Sequence, residues 1–225
     1  MTPAQSFLLS SSKTLTALAA LAFFTFHPQP SFALDPVRKI TEEFQVGSTP
    51  KIQTKLKSGD LIVQGWDGPF VQAEVNLGCL EGTSAEVCKK ATDGVSLAWS
   101  RTKKELLVRV KGATGWRARH LWIEARFKVP ATVPLEVETL NGEVQISGML
   151  NSVEADSGSG NVTITQSKAS VGPLHIDVGA GRAELWVSGG KIEGSGLLRS
   201  INWTGEGRAS IEVDIGAGDA VVRLD

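Results

Sequence analysis

The chain has 225 residues, of which 41% are hydrophobic and 21% charged, and its formal net charge is −1. A chain of this length can bury an ordinary core in one or two domains. Its balanced charge argues against a strongly basic nucleic-acid-binding protein, so we expect no nucleic-acid partner.

The first 33 residues have the character of a signal peptide. A single positive charge, Lys13, precedes an apolar run from Leu15 to Phe26, and Ser31-Phe32-Ala33 places small residues at −3 and −1 of a cleavage point. The alternative is an uncleaved anchor, but the run is shorter than the roughly 20 residues that a membrane span needs. We therefore expect cleavage after Ala33, no stable membrane span afterwards, and an extracytoplasmic location, periplasmic or secreted.

Two cysteines, Cys79 and Cys88, are the only ones in the chain. An exported chain meets an oxidising compartment, where two nearby cysteines favour a structural disulfide. A redox or metal pair would need Cys-x-x-Cys spacing or nearby histidines, and neither is present.

Residues 34–47 are expected to form a linker, and residues 48–130 an N-terminal β-meander with one short helix. The alternation at Ile52, Thr54 and Leu56 predicts a strand that turns at Lys57-Ser58-Gly59 into a second strand, which together give a hairpin signal. A third strand is predicted from Val71 to Val75.

The remainder of this half contains the helix and further strands. The helix is predicted over Ser84–Thr92, with Thr83 and Glu86 in capping-box relation. Val95–Trp99 and Leu106–Val110 predict another hairpin. A strand then begins at Leu121, and Pro130 and Pro134 mark the predicted boundary between the halves, because proline cannot donate to a sheet.

Residues 131–225 contain glycine corners between short alternating stretches. Three corners share the pattern Asp-x-Gly-x-Gly, and we interpret their Asp and Gly residues as turn residues: Asp156, Gly160, Asp177, Gly181, Asp214 and Gly218. Short strands between such corners predict an all-β fold whose C-terminal repeats form a β-solenoid or roll continuous with the meander. An antiparallel β-sandwich would use the same turns and is the alternative.

Several segments together resemble a known family. They are Leu61-Ile-Val-Gln-Gly-Trp-Asp67, Phe127-Lys-Val-Pro130 and Leu135-Glu-Val-Glu-Thr-Leu-Asn-Gly-Glu-Val-Gln-Ile146, followed by the Gly-rich repeats. Over about residues 48–225 the chain resembles the bacterial putative-adhesin domain family, a family of unknown function. The resemblance implies an extracytoplasmic β-solenoid-like domain and supplies no catalytic residues. The cysteine pair and the helix between its members depart from the family pattern.

Motifs for catalysis, cofactors or metals are not found. Stacked Asp-bearing glycine turns bind calcium in some solenoids, but the tandem nine-residue units of those sites are missing, which favours turn capping. The glycine corners do not lead into helices, which argues against a dinucleotide site. His120 and His175 have no evident nucleophile partner. We therefore expect no cofactor, no metal and no enzymatic activity.

The leading hypothesis is an exported, non-enzymatic binding or scaffold module that contacts protein or polysaccharide of the cell envelope. Trp122, Trp186 and Trp203 are candidate partner contacts, with the alternative that they cover gaps in the fold. The last strand, Ala220–Leu224, is a candidate for self-association through a free edge. The alternative function is a cell-envelope glycan hydrolase that uses a pair of carboxylates, and a cleft holding two such groups would favour it.

Overall fold

The protein is described from a computed structural model that covers residues 36–225, apart from the side chains of residues 195–198. The predicted signal peptide, residues 1–33, lies outside the described residues. One α-helix, α1 (Ala85–Asp93), accompanies fourteen strands. They are β1 (Arg38–Gln45), β2 (Ile52–Ser58), β3 (Asp60–Trp66), β4 (Phe70–Cys79), β5 (Ser96–Arg101), β6 (Leu106–Lys111), β7 (Leu121–Pro130), β8 (Leu135–Asn141), β9 (Val144–Ser147), β10 (Val153–Ser159), β11 (Val162–Gln166), β12 (Val171–Val187), β13 (Gly190–Thr204) and β14 (Ala209–Leu224). The fold is therefore all-β with one short helix.

All strands belong to one sheet that folds into two walls. Its path is β1-β4-β7-β3-β9-β11-β14-β10-β8-β2-β6-β5, and β12 and β13 continue from β14. The sheet passes from one wall to the other at β14, because the C-terminal part of β14 pairs with β11 and its N-terminal part pairs with β10. At the other end Phe44 of β1 and Trp99 of β5 bring their ring centroids to 6.0 Å. The sheet thus nearly closes around one core.

The walls are built from stacked levels, each with one arm in either wall. The levels are β2–β3, β8–β9, β10–β11, the two arms of β14 and the two arms of β12, and neighbouring levels pair in parallel. The alternating apolar residues of each arm point inward; for example, Val144, Val162 and Ala220 lie in one register and are all buried. Parallel pairing does not support the antiparallel sandwich.

The order of the levels differs from that of a simple solenoid, in which each coil stacks on the preceding one. β14 lies between β10–β11 and β12. The predicted self-association through Ala220–Leu224 is therefore wrong, because this stretch pairs with β11 on one edge and with β12 on the other. Both of its backbone edges are already hydrogen-bonded, so none is left for a second copy.

Glycines occupy the bends between the arms. Gly160, Gly181 and Gly218 have φ of +120°, +141° and +137°, a region that residues with a Cβ rarely adopt. They also pack backbone against backbone: a Cβ on Gly160 would lie 2.0 Å from the carbonyl oxygen of Gly142. The corner therefore needs glycine both for its backbone angle and for the close contact.

The N-terminal half differs from the predicted meander. Strands β2 and β3 are not a hairpin, because β2 pairs with β6 and β8 in one wall whereas β3 pairs with β7 and β9 in the other. The Lys57-Ser58-Gly59 turn is a corner, with Gly59 at φ +120°. The predicted hairpin of β5 and β6 is present. The expected linker 34–47 contains strand β1, which pairs with β4.

The helix and the disulfide lie together at one end of the sheet. Ser84, not Thr83, caps α1, since its side chain accepts a hydrogen bond from the backbone N–H of Val87. Cys79 at the end of β4 and Cys88 in α1 form the predicted disulfide, with 5.7 Å between their Cα atoms. The bond ties α1 to the sheet.

Within residues 36–225, no helix combines the length and the apolar character needed to cross a bilayer.

Candidate functional site

One wall is built from β8, β10 and the N-terminal arms of β14 and β12, and its outer face carries two rows of acidic side chains. Four consecutive arms repeat one alternation of apolar and polar residues: Leu135-Glu-Val-Glu138, Val153-Glu-Ala-Asp156, Ile211-Glu-Val-Asp214 and Leu174-His-Ile-Asp177. The apolar members are buried and the polar members point outward, as period-two alternation requires. Parallel pairing without a shift then aligns like positions across β8, β10, β14 and β12.

We call this surface the acidic wall. One row contains Glu136, Glu154 and Glu212 and ends at His175; the other contains Glu138, Asp156, Asp214 and Asp177. Neighbouring strands are about 4.8 Å apart, so Glu154, Asp156 and Asp214 each have like charges on both sides. At that distance a pair of charges repels by roughly 1–3 kcal/mol between water and a protein surface.

Cations neutralise only the margins of the acidic wall. Lys51 and Lys55 of the β2 side form salt bridges with Glu136 and Glu138. At the other margin His175 Nε2 lies 2.9 Å from Asp177 Oδ2. The hydrogen bonds to Asn202 and Asp177 raise the pKa of His175 above its usual value, which favours its cationic form. Lysines therefore neutralise the β2 margin, and His175 is the partner of Asp177 at the other margin.

The carboxylates at the centre of the acidic wall differ from those at its margins. Within the part of the chain that the structure describes, Glu154, Asp156, Glu212 and Asp214 form no salt bridge. Burial first, and the charges of Glu154 and Asp214 next, raise the pKa of Asp156 to about 6. Partial burial and the neighbouring carboxylates together therefore favour the protonated form of Asp156.

A groove of about 630 Å³ runs beside the Asp row and across the strands. Its lining includes Gly158, Gly216 and Gly179, which follow the aspartates on consecutive arms, together with Asp156, Asp214 and Asp177 and one cationic residue, Arg199 of β13, next to β12. Because glycines leave no side chains along this row, a ligand can approach the backbone and the carboxylates together. The groove can therefore take an extended ligand that lies across the strands.

Two residues with buried hydroxyls also line this groove. Thr139 and Ser157 are each 5% exposed, and neither Thr139 Oγ1 nor Ser157 Oγ has a hydrogen-bond partner in the protein. A buried hydroxyl without a partner costs roughly 1–3 kcal/mol. Both residues hold inward-facing positions, in line with the buried Val137 and Ala155, so their hydroxyls point into the core and not into the groove.

The three aspartates that we interpreted as turn residues lie inside strands instead. Asp156, Asp177 and Asp214 belong to β10, β12 and β14, and the turns themselves are made by the glycines that follow. The interpretation as turn residues left out the polar residues two positions before them on the same strands. Glu136, Glu138, Glu154 and Glu212 were missed as site residues, although the repeated apolar–acid–apolar–acid pattern could have revealed them.

The candidate tryptophans do not converge on one surface. Trp122 of β7 is half-buried and packs over Gly78, where a Cβ would lie 3.1 Å from its ring. Trp186 and Trp203 lie at opposite ends of the β12–β13 pair, beside Lys191 and Leu174. Trp203 packs against the core, whereas Trp186 is 38% exposed and its indole N–H donates to Glu184.

In residues 36–225 no three or more His, Cys, Asp or Glu side chains are grouped so as to hold a metal ion. The acidic wall is a linear array, whereas a metal ion needs ligands that converge on one point.

Comparisons with known proteins leave the family open. No family model and no curated protein matches the chain. Among solved structures, similarity is found to a putative cell adhesion protein from Clostridium sporogenes, 14% identical, covering 84% of this chain and 99% of that one with a TM-score of 0.49. A putative adhesin from Bacteroides fragilis and a putative lipid binding protein from Parabacteroides distasonis are each 10% identical, cover 84% of this chain and 98% of theirs, and have TM-scores of 0.25 and 0.29. These similarities are too distant to assign the chain to a family.

Proposed function

We propose that the protein is an exported, non-enzymatic binding module of the cell envelope that holds a basic segment of a partner protein on its acidic wall. The carrying observation is the in-register array of unneutralised carboxylates, Glu154, Asp156, Glu212 and Asp214, beside the glycine-floored groove. In this proposal the stacked levels act as a solenoid-like wall. The predicted signal peptide and the Cys79–Cys88 disulfide support an extracytoplasmic location.

A basic peptide gains energy here in two ways. Each Lys or Arg side chain placed on the rows forms ion pairs with carboxylates and also removes repulsion between neighbouring carboxylates. An extended strand can lie along the groove, where glycines allow close approach to backbone groups. A basic protein segment fits this charge better than a neutral polysaccharide does.

The direct test is fluorescence anisotropy with a labelled deca-lysine peptide and purified protein at pH 7.5. The double substitution Glu154→Gln/Glu212→Gln is expected to weaken binding roughly tenfold, which corresponds to about 1.4 kcal/mol. The matched control, Glu81→Gln/Glu86→Gln, removes the same charge from exposed positions outside the acidic wall. Binding by the control should stay within about twofold of the unsubstituted protein, and binding by all proteins should weaken with added salt.

Equal affinity in the wall variant and the control would contradict the proposal. It would show that the peptide responds to overall charge and not to the acidic wall.

A second candidate function rests on one observation. Asp156 and Asp214 are adjacent carboxylates in a groove, and the pKa of Asp156 is raised to about 6, as in a glycosidase acid–nucleophile pair. The arrangement differs from such a pair because the two groups continue a row along one face and do not flank a bond from two sides. Glycan hydrolysis that is abolished by Asp156→Asn and by Asp214→Asn, each in a folded protein, would establish this alternative.

A further inference from the structure

We propose that a second site, separate from the centre of the acidic wall, binds a phosphate group in a cationic cleft between β2 and β6. The cleft has a volume of about 550 Å³, within the usual range of small-ligand pockets. Its cations are Lys55 and Lys57 of β2 and Arg109 and Lys111 of β6. We call this site the cationic cleft.

The cleft exists because two strands part before they end. Pairing of β2 with β6 stops at Lys55 and Arg109. Beyond that point β2 continues with β8 as far as Ser58, and β6 continues with β5 as far as Lys111. The facing edges after Lys55 and Arg109 are consequently not paired with each other, and a ligand can reach backbone groups there.

Two features keep the strands apart. Gly112, at the end of β6, packs on the backbone of Gly94 after α1, so closely that a Cβ would lie 1.9 Å from the Gly94 carbonyl oxygen. This contact fixes the end of β6 beside the helix terminus. Lys55 and Arg109 are also direct cross-strand neighbours, and like charges at such positions repel.

The charge balance of the cleft calls for an anion. Lys55 pairs with Glu138, which is the only acidic residue in the lining. Among the described residues, Lys57, Arg109 and Lys111 form no salt bridge. Three cations therefore stay unneutralised around one cavity. A single carboxylate would balance one of them, whereas a phosphate carries up to two charges and several acceptor oxygens for the Arg109 fork and the lysines.

The rest of the lining supports the same ligand. Leu140 is 58% exposed in the lining, so an apolar group attached to the phosphate has a surface to contact. The phosphate can come from a soluble ion or from a lipid headgroup.

The test is isothermal titration calorimetry with sodium pyrophosphate on the full mature protein, alongside co-sedimentation with vesicles of phosphatidylglycerol in phosphatidylcholine. The variant Lys57→Gln/Lys111→Gln should weaken binding at least tenfold in whichever arm binds. The matched control Lys103→Gln/Lys104→Gln removes the same charge at the far turn of the β5–β6 hairpin and should change affinity less than twofold. Both pairs are exposed, so both variants should keep the native melting temperature.

A third variant provides a gain-of-function readout. Glu138→Gln releases Lys55 from its salt bridge and removes the one negative charge of the cleft, so pyrophosphate or vesicle binding should tighten at least threefold. Pyrophosphate binding assigns the site to a soluble phosphate, and binding to anionic vesicles alone assigns it to a headgroup. Absence of binding in both arms, or equal losses in the cleft variant and its control, overturns the proposal. Deca-lysine binding is measured on the same proteins, so failure of this site is distinguished from failure of the acidic wall.

Discussion

Asp156 of β10 and Asp214 of β14 are direct neighbours in a parallel pair, with the acidic row continuing on both sides of them. Side chains at such positions point to the same face from adjacent strands about 4.8 Å apart, so their negative charges repel each other. Partial burial first, and the charges of Glu154 and Asp214 next, raise the pKa of Asp156 to about 6.

Replacing Asp156 with Asn should stabilise the protein in a pH-dependent way. The pKa of Asp156 is higher in the folded protein, about 6, than the 3.8 of a free carboxyl, so the folded state binds more protons between these values. Stability is therefore lost as the pH rises through this window and stays lower above it. We expect Asp156→Asn to raise the free energy of unfolding by about 1–2 kcal/mol at pH 8, with allowance for solvent screening.

The measurement is urea denaturation of Asp156→Asn and of unsubstituted protein at pH 8 and at pH 4, where the difference should nearly vanish. Glu206→Gln in an exposed turn serves as the charge-matched control. A gain of the same size at both pH values would disprove the electrostatic origin.

Substitution of a corner glycine should be far more costly than substitution of a loop glycine. In Gly160→Ala the new Cβ meets the Gly142 carbonyl oxygen at 2.0 Å and φ is +120°. Gly82→Ala carries a positive φ, +82°, but has open space around the new Cβ. We expect Gly82→Ala to lower the free energy of unfolding by about 1 kcal/mol and Gly160→Ala to lower it by at least about 3 kcal/mol. Thermal denaturation followed by circular dichroism compares the two, and similar melting temperatures would count against the stacked corner.

Loss of the Cys79–Cys88 disulfide should lower stability by about 2–3 kcal/mol, since the bond closes a loop of nine-residue separation. A reducing agent should lower the melting temperature of the unsubstituted protein, whereas the double variant Cys79→Ser/Cys88→Ser should start lower and not respond. Alkylation of the denatured protein, read by mass spectrometry, verifies the oxidised state. An identical melting temperature with and without reductant would show that the bond does not stabilise the fold.

Trp122 and Trp186 are expected to differ in what they contribute. Trp122→Ala uncovers Gly78 between β4 and β7 and should lower the free energy of unfolding by about 1–2 kcal/mol. Trp186→Ala, at an exposed position with only Glu184 and Lys191 beside the indole, should change it by less than about 0.5 kcal/mol. Equal effects on stability, or loss of deca-lysine binding in Trp122→Ala, would reassign Trp122 to a partner contact.

The local pattern of the sequence was sufficient for much of the fold. The alternation at Ile52, Thr54 and Leu56 predicted a strand, and these residues lie in β2 and are all buried. The capping-box pattern predicted a helix over Ser84–Thr92, and the structure places α1 at Ala85–Asp93. The cysteine spacing predicted the disulfide. Each of these features depends on residues close together in the chain, where side-chain period and turn chemistry are decisive.

The sequence by itself thus determined which residues face inward, where the chain turns and that the fold is all-β. Only the tertiary structure decided which strands are neighbours: β14 inserts between β10 and β12, and β2 separates from β6. The alternation in each strand is compatible with several partners, since a strand of period two offers the same edges to all of them. The acidic wall and the cationic cleft are products of that choice, because charges distant in sequence become a surface only when their strands are placed side by side.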